Sequence, residues 1–239
     1  MNVLTIPSRF NGPAGVGNGG YVCGRIAAYV DGPATVTLRR PPPLDTPMEV
    51  ERDGDGSVRV RHGRRLIGEA APSPAGPLEI PATVSLADAG AAARGARYFT
   101  DPVFPDCFVC GMNRRPGDGL RIVPGPVAGL ALWAAPWTPD RSVADSGGRV
   151  RAEVIWAALD CPGSVSWVVS GGGGGLLGTM TGELIRRPAV GETCIVLAWP
   201  IERSGRKMTS GAALFTAAGE LLAKSHQVWI GRAPVAEAA

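Results

Sequence analysis

The sequence predicts an α+β fold built from one structural unit used twice, each unit a long apolar helix followed by an antiparallel meander. Three observations lead there. Two helical stretches lack a polar face, the pattern of a helix enclosed by other elements. Each is followed by several strand-like runs with turn residues between them. The halves also echo each other: residues 38–47 and 184–193 both run strand, basic pair, proline and turn residues.

The first helix is expected from Gly19 to Val30, with Asn18 placed to cap it. The runs after it are 35–40, 48–52, 57–62 and 65–70. The second helix starts near Arg151 and runs through Leu159, and Pro162 leaves open whether it continues to Val169. The runs after it are 179–187, 193–202, 206–216 and 221–230. Asp53-Gly54, Ser204-Gly205 and Ala218-Gly219 supply hairpin turns. Pro72 to Gly95 is rich in Pro, Ala and Gly, so the expected division is a unit over 1–85, a linker over 86–100 and a unit over 101–239.

Composition narrows the function classes. Hydrophobic residues make up 45% of the 239 positions, enough for a large core, and 34 glycines with 22 prolines favour many turns. A net charge of +3 without basic tracts argues against nucleic acid as a partner. Five cysteines without even spacing read as reduced thiols of a cytoplasmic protein. The first ten residues lack a signal-peptide pattern. Asp160, Pro162 and Gly171 to Gly175 interrupt the apolar stretch 152–177, so no membrane span is expected.

Asp160 is the leading functional candidate, because it lies within the apolar run 152–162. Burying a carboxylate costs several kcal/mol unless it is paired or neutralised. An apolar setting raises its pKa and makes it a stronger base. The competing reading is a helix-end residue bonding to local backbone.

Cys107-Phe108-Val109-Cys110-Gly111 followed by Gly119-Leu120-Arg121-Ile122, the segment Trp156 to Gly163, and Asn18-Gly19-Gly20 at a helix start together resemble the hot-dog-fold thioesterase superfamily. The arrangement is similar to a double hot-dog, two fused units in which each antiparallel sheet wraps around a long central helix. The resemblance covers nearly the whole chain except the linker. It implies hydrolysis of an acyl-coenzyme A or acyl carrier thioester in lipid metabolism, with no metal or redox cofactor, by a monomer or homodimer.

In that family pattern, glycines open the helix and an acidic residue follows about two turns later. Such features lie about 12–14 Å apart on one helix, so they can meet only across two antiparallel helices. Here the parts are divided: Asn18-Gly19-Gly20 opens the first helix, but Ala27 stands where the acid would fall. The second helix has Asp160 but opens on Arg151-Ala152-Glu153. One intact and one decayed site are therefore expected. Amides of Gly19, Gly20 or Tyr21 would hold an oxyanion, and Asp160 would activate water or attack the carbonyl itself. The resemblance also implies a positioning hydroxyl, Ser164 or alternatively Ser166, although either is equally suited to a helix-end bond.

Tyr21, Trp156 and Trp167 are the candidates to line an acyl pocket. Cys107 and Cys110 have the spacing of half a zinc site, but nothing near in sequence completes it, so no metal is expected and packing is favoured. His62 and His226 read as structural or exposed. Arg39, Arg40, Arg186, Arg187, Arg203, Arg206 and Lys207 are candidate phosphate contacts or solvated strand ends. Gly171 to Gly175 reads as a flexible connection or a rim over the acyl site. The rival function is a non-catalytic acyl-CoA binding or regulatory protein; a third is a scaffold that associates through its sheet.

Overall fold

A computed structural model describes residues 2–73, 78–96, 100, 102–169 and 174–231. The elements are, in chain order, β1 (Asn2–Leu4), α1 (Gly19–Ala27), β2 (Ala34–Leu38), β3 (Met48–Arg52), β4 (Val58–His62), β5 (Arg65–Pro72), α2 (Leu86–Arg94), β6 (Gly125–Pro126), β7 (Trp133–Trp137), α3 (Ala152–Val169), β8 (Gly175–Leu184), β9 (Cys194–Ser204), β10 (Lys207–Thr216) and β11 (Leu221–Gly231). Short 3-10 turns lie at Ser8–Phe10 and Arg141–Val143.

Among the described residues the strands form a single antiparallel sheet of eleven, in the order β1-β3-β4-β5-β2-β8-β11-β10-β9-β7-β6. The first five strands come from the N-terminal half and the other six from the C-terminal half. Their seam is β2 against β8, where Ala34–Thr37 pairs with Thr179–Gly182. Outward threonines reinforce it, with Thr35 and Thr181 hydroxyls 2.8 Å apart. Closing two half-sheets into one removes two edges that would otherwise be exposed.

The nine-residue α1 and the eighteen-residue α3 both pack against the sheet and against each other, and α1 is antiparallel to α3. Glycine makes this contact possible. A Cβ at Gly20 would lie 2.6 Å from the Trp156 carbonyl oxygen and 3.1 Å from Ala157 Cα, and one at Gly24 would lie 2.6 Å from Glu153 Cα. Residues 20 and 24 are four apart and share a face, so α1 meets α3 backbone to backbone. The same tight fit recurs where the Trp156 ring lies over Gly182 of β8, 2.6 Å from where a Cβ would stand.

Helix α3 runs unbroken through Pro162. Proline removes an intrahelical hydrogen bond and crowds the carbonyl four residues earlier. Gln227 of β11 engages the next carbonyl along: its Nε2 donates to the Leu159 carbonyl at 2.6 Å and to Ser225 Oγ at 2.9 Å. Its Oε1 accepts from Ser210 Oγ at 3.2 Å and Trp229 Nε1 at 3.1 Å. A Cβ on Gly163 would collide with the Gln227 side chain, so glycine at 163 admits this network.

Several details depart from expectation. The interval read as linker contains α2, because Ser85 caps Asp88 N at 3.1 Å, alanines fill the interior and Gly95 ends the helix. Ala89 and Ala92 of α2 are buried with Leu132, Ala134 and Leu197. Its backbone sits so close to Gly125 that a Cβ there would collide with the Ala92 carbonyl. Strands β1, β6 and β7 add to the expected runs; the first two are only three and two residues long. In the β3–β4 turn the left-handed residue is Gly56 (φ 83°) rather than Gly54, because the loop is longer than a two-residue hairpin. Helix α1 ends at Ala27, ahead of Val30. No helix among the described residues is long and apolar enough to cross a membrane.

The helix contact yields a stability prediction. Gly24→Ala should lower unfolding free energy by about 1–3 kcal/mol in urea melts, because the backbones must separate. Gly54→Ala, with open space around its Cβ position and no positive φ, should stay within about 0.5 kcal/mol of the parent.

Candidate active site

The antiparallel crossing brings Asp160 of α3 to the N-terminus of α1. Its Oδ2 accepts from the Gly20 amide at 2.9 Å and from Asn18 Nδ2 at 2.8 Å. Asn18 also caps the helix, because its Oδ1 accepts from the Tyr21 amide at 2.9 Å. This dual engagement fixes which end of the amide faces which partner. Asp160 is 3% exposed and Asn18 2%.

The other carboxylate oxygen, Oδ1, is buried and has no hydrogen-bond partner among the described residues. Burial pushes the Asp160 carboxyl up to about 7; the Gly20 amide opposes this, the neighbouring Cys107 adds to it, and Asn18 opposes it. The result is a carboxylate with one oxygen held at a helix N-terminus and one oxygen unengaged.

The helix tip is less open than the sequence suggests. The Gly20 amide is taken by Asp160 and the Tyr21 amide by Asn18. The Gly19 amide has no such partner among the described residues, and the Leu177 side chain of β8 lies close to Gly19, 3.0 Å from its Cβ position. The Tyr21 ring stacks on Phe10 with centroids 3.9 Å apart, and Phe108 meets both rings edge-on. Ser164 is half-buried on α3, and no hydrogen bond joins it to Asp160 among the described residues. Ser166 Oγ donates to the Gly163 carbonyl at 2.8 Å, a helix-end bond. Trp156 is buried against Gly182, and Trp167 donates its indole N–H to the Thr209 carbonyl at 3.1 Å.

Ala27 is buried at the far end of α1, while Gly24 lies against Glu153 at the start of α3. The second helix crossing therefore lacks an acid on α1. Three of the arginines considered for phosphate contact are already paired with carboxylates. Arg39 meets Glu69, Arg186 meets Glu192 and Glu220, and Arg187 meets Asp145. His62 is exposed, and burial lowers the pKa of the half-buried His226. Gly171 to Gly173 lie outside the described residues.

Sequence reasoning missed two features beside Asp160. The first is Gln227, whose signal was a glutamine on the inward face of a strand, in register with Ser225 and Trp229. The second is a cluster of thiols. Cys161 brings its sulfur to 3.6 Å from that of Cys107, and Cys110 completes a trio whose sulfurs all lie within 4.8 Å of one another. Asn18 Nδ2 also faces this cluster, 3.9 Å from the Cys107 sulfur and 3.8 Å from that of Cys161. Hydrogen bonds from the Cys110 and Cys161 thiols, then from the Cys110 and Val109 amides, hold the Cys107 thiol well below its usual range. Adjacency of Cys161 to Asp160 was visible in the sequence; convergence over more than fifty residues was not.

No family model matches the chain, and no curated protein matches it. Solved structures do. A candidate thioesterase from Novosphingobium aromaticivorans superposes with a TM-score of 0.64 over 97% of this chain and 95% of its own, at 14% identity. The tesB protein of Mycobacterium avium subs paratuberculosis gives 0.62 over 96% and 92%, at 14% identity. A candidate thioesterase II from Thermobifida fusca gives 0.57 over 96% and 93%, also at 14% identity. These likenesses establish the fold: the chain has the architecture of these thioesterase-designated proteins along almost its entire length, in agreement with the hot-dog expectation.

Proposed function

We propose that the chain is a double hot-dog acyl-CoA thioesterase whose working carboxylate is Asp160. The supporting observation is the meeting of a buried acid on α3 with the capped tip of α1, leaving Oδ1 unengaged. The two half-sheets joined at β2–β8, each backed by one long helix, support the double hot-dog reading.

In this reading Oδ1 takes a proton from water as the water oxygen bonds to the thioester carbonyl carbon. The carbonyl electrons move to oxygen, which the helix tip stabilises. The Gly19 amide is the donor there not already bonded to a protein partner, once Leu177 moves aside. Collapse restores the carbonyl, breaks the carbon–sulfur bond and returns the proton from Asp160 to the departing thiolate. The alternative is direct attack by Oδ1 on the carbonyl carbon, breaking the carbon–sulfur bond and expelling the thiolate to give an acyl anhydride that water then hydrolyses. Gly20 and Asn18 serve both routes by keeping the carboxylate oriented.

A second reading, acyl-CoA binding without turnover, is favoured by one observation. Asp160 and Asn18 are almost fully enclosed, so substrate access needs movement at the site.

Asp160→Asn should lower kcat on an acyl-CoA panel by about 10²–10⁴-fold, with the circular dichroism spectrum unchanged. Full turnover in that variant would remove Asp160 from the chemistry. Tight acyl-CoA binding by the parent chain without any turnover would establish the binding reading instead. Single turnover in ¹⁸O-water tests the anhydride route: label in the Asp160 carboxyl marks hydrolysis of an anhydride at the aspartyl carbonyl, which the base route cannot produce. Asn18→Ala should lose about 1 kcal/mol of stability through the missing cap. Asn18→Ser keeps a capping oxygen but no amide donor toward Asp160, so it should recover stability without recovering kcat.

A further inference from the structure

We propose that Cys107, Cys110 and Cys161 form a zinc-binding site, with a fourth ligand supplied by solvent or a small thiol. This rests on the thiol geometry and is independent of the thioesterase reading. Tetrahedral zinc with sulfur ligands at about 2.3 Å places them about 3.8 Å apart. The Cys107–Cys161 separation of 3.6 Å and the 4.8 Å limit on the whole trio fit that spacing with little adjustment.

The segment around the first two cysteines has the form of a ligand turn. Gly111 N donates to the Cys107 carbonyl at 2.8 Å, closing the Cys107–Gly111 loop. A Cβ on Gly111 would come within 2.6 Å of the Cys107 amide nitrogen, so the tightness of this turn excludes a side chain there. Further anchoring comes from Phe108 N donating to the Asn11 carbonyl at 2.8 Å and Ile122 N to the Val109 carbonyl at 2.9 Å. The turn is thereby held against α3, where Cys161 waits.

The chemistry of the donor set supplies a second argument: the trio lies beside Asp160, with Cys107 and Cys110 buried and Cys161 half-buried. Asn18 Nδ2 is the nearby donor to both Cys107 and Cys161, at 3.9 and 3.8 Å, and carries no full charge. Three sulfur donors are soft, and that softness selects zinc over magnesium or calcium. Such an ion would tie the 107–111 turn to α3 next to the Asn18–Asp160 contact.

The test uses the full chain, purified under reducing conditions from zinc-supplemented medium, with metal measured by plasma mass spectrometry. Zinc near equimolar with protein is expected. Cobalt(II) added to the chelator-stripped chain should give near-ultraviolet thiolate-to-cobalt absorption and the visible bands of tetrahedral coordination. Cys110→Ser should weaken zinc affinity on the order of 100-fold. Zinc below about a tenth of an equivalent after reconstitution, together with no cobalt–thiolate band, overturns the site whatever the thioesterase result. Near-equimolar, undiminished zinc affinity in Cys110→Ser, or a Cys107–Cys161 disulfide persisting in the reduced chain, overturns it as well.

Discussion

The close approach of α1 to α3 is the constraint on which the rest depends. Gly20 and Gly24 present bare backbone on one face of α1, and α3 answers with Trp156, Ala157 and Glu153 backbone atoms. Only at that separation can the Gly20 amide reach a carboxylate on the neighbouring helix. The same glycine therefore sets both the packing distance and the hydrogen bond. Any side chain at 20 would push Asp160 away from the donor that holds it.

A buried acid beside a buried proline would ordinarily be two liabilities in one helix. Here a separate polar contact lies beside each. The carboxylate has the α1 tip and Asn18. The backbone near Pro162 has Gln227, itself satisfied by Ser210, Ser225 and Trp229. Because Gln227 comes from β11 and Asn18 from the segment before α1, α3 is held by groups from both halves of the chain. Buried networks of this kind specify one arrangement when every member is partnered. The unengaged Oδ1 is the exception in this region, and an unpartnered buried oxygen is where chemistry is to be sought.

The thiol trio lies beside this carboxylate contact, facing the same Asn18 Nδ2. One amide group thus faces a cap, an acid and two sulfurs at once. Events at the sulfurs would be felt at Asp160 through the orientation of Asn18 and through Cys161, its neighbour in the chain. The aromatic stack of Phe10, Tyr21 and Phe108 closes the adjacent face and keeps the N-terminal segment docked on the 107–111 turn.

Much of the fold was legible because its signals are local. Helices without a polar face, alternation along 48–52 and 58–62, and Gly205 and Gly219 at hairpin turns each depend on residues a few positions apart. Asp160 stood out for the same reason, as a lone acid in an apolar run. Short edge strands such as β6 carry too few residues to show a period, and α2 was hidden by an alanine-rich composition shared with linkers. The partnership of the Gly20 amide with Asp160, the Gln227 network and the meeting of Cys161 with Cys107 were decided by tertiary packing alone. Each joins residues separated by at least fifty positions. No local pattern encodes such a distance; it follows from how closely two helices and a sheet can approach once their glycines are in place.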